Sequence, residues 1–137
     1  MKIISPFKLK RQGILGMNSR NFNYISAANQ RRFYPRVDDK LLTKKLALEE
    51  GLSVPELICS VKYNHQQKEL HELLKKHKEF VVKPTKGCAG KGIMVFKDQD
   101  ERGYIKMSGS VVTKIELSRH ISEILTGLHS LGGQPDQ

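Results

Sequence analysis

The sequence contains no tryptophan and only two cysteines among its 137 residues, and aromatic residues amount to 7%. Cys59 and Cys88 lie far apart and form no CxxC motif, which argues against a disulfide framework and favours two reduced thiols. A zinc site is not expected, because His65, His71 and His77 recur every six residues and would point in different directions from a helix. With 38% hydrophobic residues, the chain can still build a modest core.

Long apolar runs are also absent. No segment approaches the roughly 20 consecutive apolar residues that a membrane helix requires. The apolar run at the start of the chain is too short for a signal peptide. These absences predict a cytoplasmic protein that has no membrane partner.

Acidic residues are missing from the first 36 positions, whereas eight basic residues occur there, from Lys2 to Arg36. This segment therefore carries +8 of the net charge of +10. Such a segment can bind polyanions, attract small acidic substrates, or remain an arm that is solvated or faces another part of the protein. We expect residues 1–36 to form a basic N-terminal segment of mostly irregular structure, with one short helix near residues 22–29.

Residues 37–137 show helix and strand periodicity. A first helix is expected to begin at Asp38 or Asp39, either of which can cap it, and to end at Gly51. Its expected apolar face consists of Leu41, Leu42, Leu46 and the alkyl part of Lys45. After an extended stretch at 52–58, further helices are expected over residues 66–78 and 117–130. The inward residues of the last helix are expected to be Ile121, Ile124, Leu125 and Leu128.

Four short strands are expected over residues 80–84, 93–96, 103–107 and 111–115. They follow one another along the chain with short connections, and the helices lie before and after them. This order predicts an α+β fold with a mostly antiparallel sheet and flanking helices.

A glycine-rich loop, residues 85–92, joins the first two strands. Its glycines, at 87, 90 and 92, fit neither a Walker A loop nor a dinucleotide-binding fingerprint, because a strand and not a helix follows. Glycines in such a hairpin let backbone N–H groups approach a polyphosphate, and Lys83 at the end of the incoming strand would direct an ammonium toward it. The alternative is an ordinary glycine turn with solvated lysines.

Several motifs occur together around this loop. Asp39-Lys40 opens a helix, Gly51-Leu52-Ser53-Val54-Pro55 follows it, and Val82-Lys83-Pro84 precedes the loop. This combination resembles the ATP-grasp superfamily. The stretches at 13–21 (GILGMNSRN), 34–44 (YPRVDDKLLTK) and 128–136 (LHSLGGQPD) are similar to its alpha-L-glutamate-ligase-like, sugar-transfer-associated members.

The resemblance implies the N-terminal part and small nucleotide-binding lobe of an ATP-grasp fold, with residues 37–137 as a partial ATP-grasp domain. It implies that Lys40 and Lys83 contact ATP phosphates and that the loop closes over them. The loop residues implied are Thr85, Lys86, Gly87, Gly90, Lys91 and Gly92. The implied reaction is ATP-dependent ligation of a carboxylate, such as that of an amino acid or peptide, to an amine.

Two further expectations concern the substrate and the metal. Arg20, Arg31, Arg32 and Arg36 are candidates to hold an acidic substrate. Asn18 and Asn21 could assist them as neutral hydrogen-bond donors, or could simply satisfy turns. The Mg²⁺ ligands of ATP-grasp enzymes belong to a second, larger lobe, and we find no counterpart for them, nor a catalytic residue, in this sequence. We therefore expect a fragment that binds ATP weakly, has negligible ligase activity and can self-associate through an incomplete sheet.

Two other functions remain open. A nucleic-acid-binding module would suit the pI of about 9.7 and the aromatic residues interleaved with arginine. These aromatic residues are Phe22, Tyr24, Phe33 and Tyr34. No known nucleic-acid-binding motif accompanies them, which makes this partner the less expected one. The third possibility is a non-catalytic, truncated remnant.

Overall fold

The first 37 residues and the rest of the chain form two separate units. The computed structural model describes residues 4–137, with Leu131 described by its backbone alone. Its contacts divide the chain into Met1–Val37 and Asp38–Gln137. Residues 1–3 lie outside the described part of the chain. They include Lys2 of the basic segment and the start of the apolar run that is too short for a signal peptide.

The first unit is largely helical, so the expectation of mostly irregular structure was wrong. It contains α1 (Pro6–Arg11), α2 (Met17–Arg20), α3 (Ser26–Ala28) and α4 (Pro35–Asp38). A π-helical turn at Asn21–Ile25 joins α2 to α3, and a 3-10 turn occupies Arg31–Phe33. The helix expected near residues 22–29 exists but begins at Met17. None of the described residues in this unit is buried, which explains why apolar periodicity did not reveal its helices.

The second unit opens with α5 (Lys40–Glu49), which has the predicted ends. The Asp39 carboxylate accepts the N–H groups of Leu41 and Leu42, both at 3.0 Å. At the other end Gly51 adopts φ +71° and donates to the Leu48 carbonyl, while the next N–H donates to that of Ala47. This is the Schellman arrangement that a C′ glycine favours.

The apolar face of α5 differs from the prediction at one residue. Leu41, Leu42 and Leu46 are half-buried as expected. Lys45 is exposed and pairs with Glu49 one turn later, at 3.8 Å. Lys44, one position earlier, is half-buried, and its ammonium donates to the Pro55 carbonyl.

The sheet is an antiparallel meander in the order β1-β2-β3-β4, which confirms the predicted α+β class. Its strands are β1 (Phe80–Val82), β2 (Met94–Asp100), β3 (Gly103–Lys106) and β4 (Val111–Val112). Two helices flank the sheet, α6 (Gln67–Leu74) and α7 (Lys114–Leu125).

The ends of these flanking helices correct three predictions. The fourth strand stops at Val112 because Thr113 and Glu116 form a capping box that starts α7 three residues earlier than expected. The same helix ends before residue 130, since Gly127 adopts φ +85° in a second Schellman arrangement. Leu128 is consequently 68% exposed rather than inward. Helix α6 ends at Leu74, where the Gln99 side-chain amide donates to the Leu74 carbonyl at 2.9 Å.

The core lies between one sheet face and the two flanking helices. Its buried members are Leu70, Leu74, Phe80, Phe96, Tyr104, Val112, Leu117 and Ile121. The Phe80 ring lies 4.8 Å from that of Phe96 and meets Tyr104 edge-on at 5.4 Å. Such aromatic contacts add to the stabilisation from apolar burial. The opposite sheet face, which carries Val81 and Val95, is open.

His71 links α6 to the sheet and to α7. Its Nδ1 lies 2.9 Å from the Tyr104 hydroxyl, and its Nε2 lies 2.8 Å from the Ser118 hydroxyl. Burial, the largest influence, lowers the pKa of His71, and the positive charge of Lys114 lowers it further, while Glu72 opposes the shift. The folded protein therefore favours the neutral imidazole.

We expect Leu117→Ala to lower the free energy of unfolding by about 2–5 kcal/mol, because it removes a side chain that is 0% exposed. Ile115→Ala, in the first turn of the same helix, is the matched control, since Ile115 is 81% exposed. Urea denaturation followed by circular dichroism measures both. Equal effects would contradict the described orientation of α7.

We expect the pH dependence of stability to contain a contribution from His71. Its lowered pKa means that the unfolded chain binds the proton more readily. The stabilisation is therefore complete above the ordinary value of 6.5 and decreases as the pH falls through 6.5 toward the lower folded-state pKa. His71→Gln should flatten the curve of unfolding free energy against pH in this window, whereas the exposed control His65→Gln should not. Parallel curves for the wild type and His71→Gln would rule the contribution out.

Candidate nucleotide-binding site

The start of the glycine-rich loop is held by the segment 130–137. Thr85 is buried, and both its N–H and its hydroxyl donate to the Gln137 carbonyl, at 3.1 and 2.7 Å. The Lys86 N–H donates to the two carboxylate oxygens of Asp136, at 3.1 and 2.9 Å. Gly87 forms an isolated antiparallel bridge with Ser130. The backbone of residues 85–87 is therefore fixed by tertiary contacts.

Asp136 is the central acceptor of this arrangement. Its buried carboxylate also accepts the Ser130 hydroxyl and, at 2.8 Å, the Gln137 N–H. Hydrogen bonds to an ionised carboxylate are stronger than those between neutral groups. Sequence reasoning missed this role. The only signal was the position of Asp136 within the LGGQPD stretch, which does not show what the carboxylate binds.

Lys40 lies directly beside the start of the loop. Its ammonium donates to the carbonyls of Thr85, at 3.1 Å, and Gly87, at 2.5 Å. Its backbone N–H also donates to the Thr85 carbonyl, at 3.1 Å. The structure thus places Lys40 beside the loop, with its ammonium engaged by loop carbonyls.

The tip of the loop, residues 88–91, is exposed. The Lys91 N–H closes a turn onto the Cys88 carbonyl at 3.1 Å, and the backbone is left-handed at Ala89 (φ 52°) and Gly90 (φ 74°). Within residues 4–137 the N–H groups of Ala89 and Gly90 have no acceptor. These two donors are therefore available to an anion.

Gly87 and Gly92 are required for close packing. A Cβ atom at Gly87 would lie 2.3 Å from Cγ of Pro84, and one at Gly92 would lie 2.7 Å from Cγ of His129. Any larger residue would force either the loop backbone or the neighbouring Pro84 or His129 side chain to move. The glycines therefore set the path of the loop as well as its conformational freedom.

Lys83 directly follows β1 at the edge of the open sheet face. Strand alternation places Lys83 on the same side as Val81, away from Phe80 and the core. Val81 pairs with Val95 on β2, and these side chains are 52% and 40% exposed. Lys83 is exposed and has no hydrogen-bond or ion-pair partner in the described part of the chain. An unengaged ammonium thus adjoins an exposed apolar strip.

Two further lysines, Lys86 and Lys91, belong to the glycine-rich loop. Lys86 is half-buried and Lys91 is exposed. Their ammonium groups form no ion pair with the described residues. Both charges therefore remain available to raise the local positive potential.

The candidates of the first unit are Arg20, Arg31, Arg32, Arg36, Asn18 and Asn21, all of which are exposed. The Arg20 guanidinium donates to the side-chain oxygen of Asn21, at 3.3 and 3.2 Å. The Arg32 and Arg36 guanidinium groups lie over the Phe33 ring, 4.7 and 4.8 Å from its centre. At Phe33 the interleaving of aromatic residues with arginine therefore produces local cation–π packing.

Comparison with known families identifies the class. Residues 19–137 match the model of the family described as sugar-transfer associated ATP-grasp. The match covers most of the chain, which therefore belongs to this family and to the ATP-grasp superfamily. The family match shows that the chain is part of an ATP-dependent, ligase-like protein. ATP-grasp proteins generally use ATP and Mg²⁺.

Neither the curated proteins nor the solved structures searched contain a significant match to the chain. In the part of the chain that the structure describes, no helix is long and apolar enough to cross a membrane.

Mg²⁺ requires ligands different from those that converge among the described residues. Among them, one group of three potential metal ligands converges, namely His120, Glu123 and His129. Mg²⁺ prefers an octahedral shell of oxygen ligands, and two of these three side chains offer nitrogen. The group therefore does not fit Mg²⁺.

We expect Asp136→Asn to release the start of the loop. The substitution replaces the carboxylate that accepts the Lys86 N–H with a neutral amide. It should lower the free energy of unfolding by about 1–3 kcal/mol. Hydrogen exchange measured by NMR should show faster exchange of the Lys86 amide, while amides of β2 and β3 are less affected. Glu101→Gln, at an exposed acidic residue, is the control. An unchanged exchange rate at Lys86 would show that Asp136 does not hold the loop.

Proposed function

We propose that this chain binds ATP as the small lobe of an ATP-dependent carboxylate–amine ligase of the alpha-L-glutamate-ligase-like kind. The observation that supports this most is the position of Lys83. Its unengaged ammonium stands between an exposed apolar strip and a glycine-rich loop whose start is fixed and whose tip offers free N–H groups. ATP has a matching division into an apolar, aromatic base and a polyanionic tail.

In this proposal the base lies against Val81 and Val95, where burial of its ring surface contributes favourable free energy. The phosphates then face Lys83 and the N–H groups of Ala89 and Gly90. Backbone donors at left-handed positions can approach phosphate oxygens closely. Lys86 and Lys91 supply attraction at longer range.

In this proposal the Lys40 ammonium exchanges its carbonyl partners for phosphate oxygens when ATP binds. An ammonium binds a phosphate oxygen more strongly than a neutral carbonyl, because both partners are charged. Phosphates that enter beneath the loop can therefore compete for Lys40 with the carbonyls of Thr85 and Gly87. The loop released by this exchange would then close through Gly90 and Gly92.

In catalysis, the proposed role of this chain is to bind and orient the nucleotide. Transfer of a phosphoryl group to a carboxylate builds up negative charge, which positioned cationic side chains stabilise. Lys40 and Lys83 are the residues we propose for this stabilisation.

We also propose that residues 1–36 bind the carboxylate substrate, whereas residues 37–137 bind ATP. Arg20, Arg31, Arg32 and Arg36 are exposed cations in a segment that has no acidic residue. A carboxylate substrate, such as an amino acid or the terminus of a peptide, is a ligand that a guanidinium group can bind through two parallel hydrogen bonds.

We expect Lys83→Ala to raise the Kd for ATP at least about tenfold, because a hydrogen bond to a charged group contributes roughly 1.5–3 kcal/mol. Lys40→Ala should weaken binding as well. Lys97→Ala is the matched control, since Lys97 is another exposed lysine of the same sheet. Titration with ATP followed by amide NMR shifts suits weak binding and reports on Gly87, Gly90 and Gly92 individually.

Three results would contradict the proposal. ATP could cause no shifts in the loop, Lys97→Ala could weaken binding as much as Lys83→Ala, or inorganic triphosphate could bind as tightly as ATP. A parallel titration with single-stranded RNA at several salt concentrations tests the nucleic-acid alternative. Steep salt dependence together with a preference for RNA would favour that alternative, because phosphate contacts release counterions.

A further inference from the structure

Three potential metal ligands converge where the glycine-rich loop enters β2. His120 and Glu123 lie one turn apart on α7, and His129 follows in the connection after the helix. Nδ1 of His120 is 3.7 Å and Nε2 of His129 is 3.9 Å from the same carboxylate oxygen, Oε2 of Glu123. All three ligand atoms lie within 4.8 Å of one another.

The His129 imidazole has an unsatisfied nitrogen. Its Nε2 is buried and has no hydrogen-bond partner among the described residues. A buried polar atom without a partner destabilises the folded state. Because this nitrogen is directed toward the Glu123 carboxylate, a cation between the two would satisfy both.

The position of the proton on a neutral His120 ring follows from its other contact. Its Nε2 lies 2.9 Å from the Gly92 carbonyl, which can only accept, so Nε2 carries the proton. In the neutral ring Nδ1 then has a free lone pair, and this lone pair faces the carboxylate of Glu123. Metal-binding histidines typically hold their second nitrogen on a carbonyl in this way, which orients the ring.

We propose that His120, Glu123 and His129 form a binding site for a divalent transition-metal ion of the Zn²⁺ type. The ligand atoms would be Nδ1 of His120, Oε2 of Glu123 and Nε2 of His129. Tetrahedral zinc with bonds of about 2.0–2.2 Å places its ligands roughly 3.3–3.5 Å apart. The spacings of 3.7 and 3.9 Å to Glu123 require shifts of only a few tenths of an ångström. The two imidazole nitrogens, which lie within 4.8 Å of each other, must approach by up to roughly 1.3–1.5 Å, which side-chain rotation of the half-buried His129 can supply. Two imidazoles and a carboxylate suit Zn²⁺ and related ions, not Mg²⁺ or Ca²⁺.

The fourth coordination position has access to solvent. His120 and Glu123 also line a cleft of about 320 Å³, together with Lys106 and Arg119. Its charged lining is balanced, since Glu116 and Glu123 face it as well as the two cationic side chains, so a water molecule is the expected fourth ligand.

A bound metal ion would restrict the motion of the backbone where the glycine-rich loop joins β2. His120 bonds to the Gly92 carbonyl, and the His129 ring packs directly against Gly92. A metal that joins the two rings would therefore fix Gly92, the last residue of the glycine-rich loop. Metal binding should reduce hydrogen exchange in the first residues of β2 even when no nucleotide is added.

The test uses the full chain with Cys59→Ser and Cys88→Ser as its background, because both thiols are exposed and can bind zinc on their own. Zn²⁺ affinity is measured by competition with a chromophoric chelator, and Co²⁺ is used as a spectroscopic probe. We expect one Zn²⁺ per chain, a Co²⁺ d–d spectrum typical of tetrahedral coordination, and a Tm that rises with Zn²⁺ concentration.

Two variants identify the ligands. Glu123→Gln and His129→Ala should each lower Zn²⁺ affinity at least about tenfold and abolish the rise in Tm. Glu123→Gln preserves side-chain size at a half-buried position, so its fold, checked by circular dichroism, should be retained. His65→Ala removes an exposed imidazole outside the cluster and should leave affinity unchanged.

Two outcomes overturn the proposal. In the first, the background chain fails to bind Zn²⁺ in competition with the chelator. In the second, Glu123→Gln and His129→Ala bind Zn²⁺ as tightly as the background chain. Neither outcome depends on ATP, so the result is independent of the nucleotide-binding proposal.

Discussion

The buried carboxylate of Asp136 is the contact on which the rest of the candidate site depends. It accepts the Lys86 N–H and the Ser130 hydroxyl, and so joins the start of the glycine-rich loop to the segment after α7. With residues 85–87 fixed in this way, the Thr85 and Gly87 carbonyls are positioned to receive the Lys40 ammonium. A fixed start leaves the exposed tip as the part of the loop that can adapt to a ligand.

Much of the fold could be predicted because its signals are local. Asp39 and Gly51 delimit α5 through contacts within a few residues, and both ends were found from the sequence. Thr113 and Gly127 delimit α7 by the same rules, but the apolar residues at 111–115 suggested a strand and the apolar periodicity continued to Leu128. In both cases a cap residue was the stronger signal, because it specifies a hydrogen-bonding pattern and not only a side-chain direction.

The site was accessible to sequence reasoning only in part. The position of the glycines and Lys83 in a strand–loop–strand unit could be predicted because it follows from local sequence order, whereas their contact with phosphates stays a prediction. The engagement of Lys40 by loop carbonyls and the role of Asp136 could not, since the partners are separated by about 45–50 positions. The convergence of His120 with His129 was missed for a related reason. Their spacing of nine residues includes the helix end at Gly127, so periodicity along a single helix does not apply.

The meander also determines the order in which the molecule assembles. Each strand pairs with its neighbour in the chain, so the sheet closes only short loops and can form early. The start of the glycine-rich loop, in contrast, is completed by residues 50–52 positions further along, which close a longer loop at a greater entropic cost. We therefore expect the sheet to form before the glycine-rich loop acquires its shape, so that a folding intermediate would have the loop lysines without the backbone path that Asp136 and Gln137 impose.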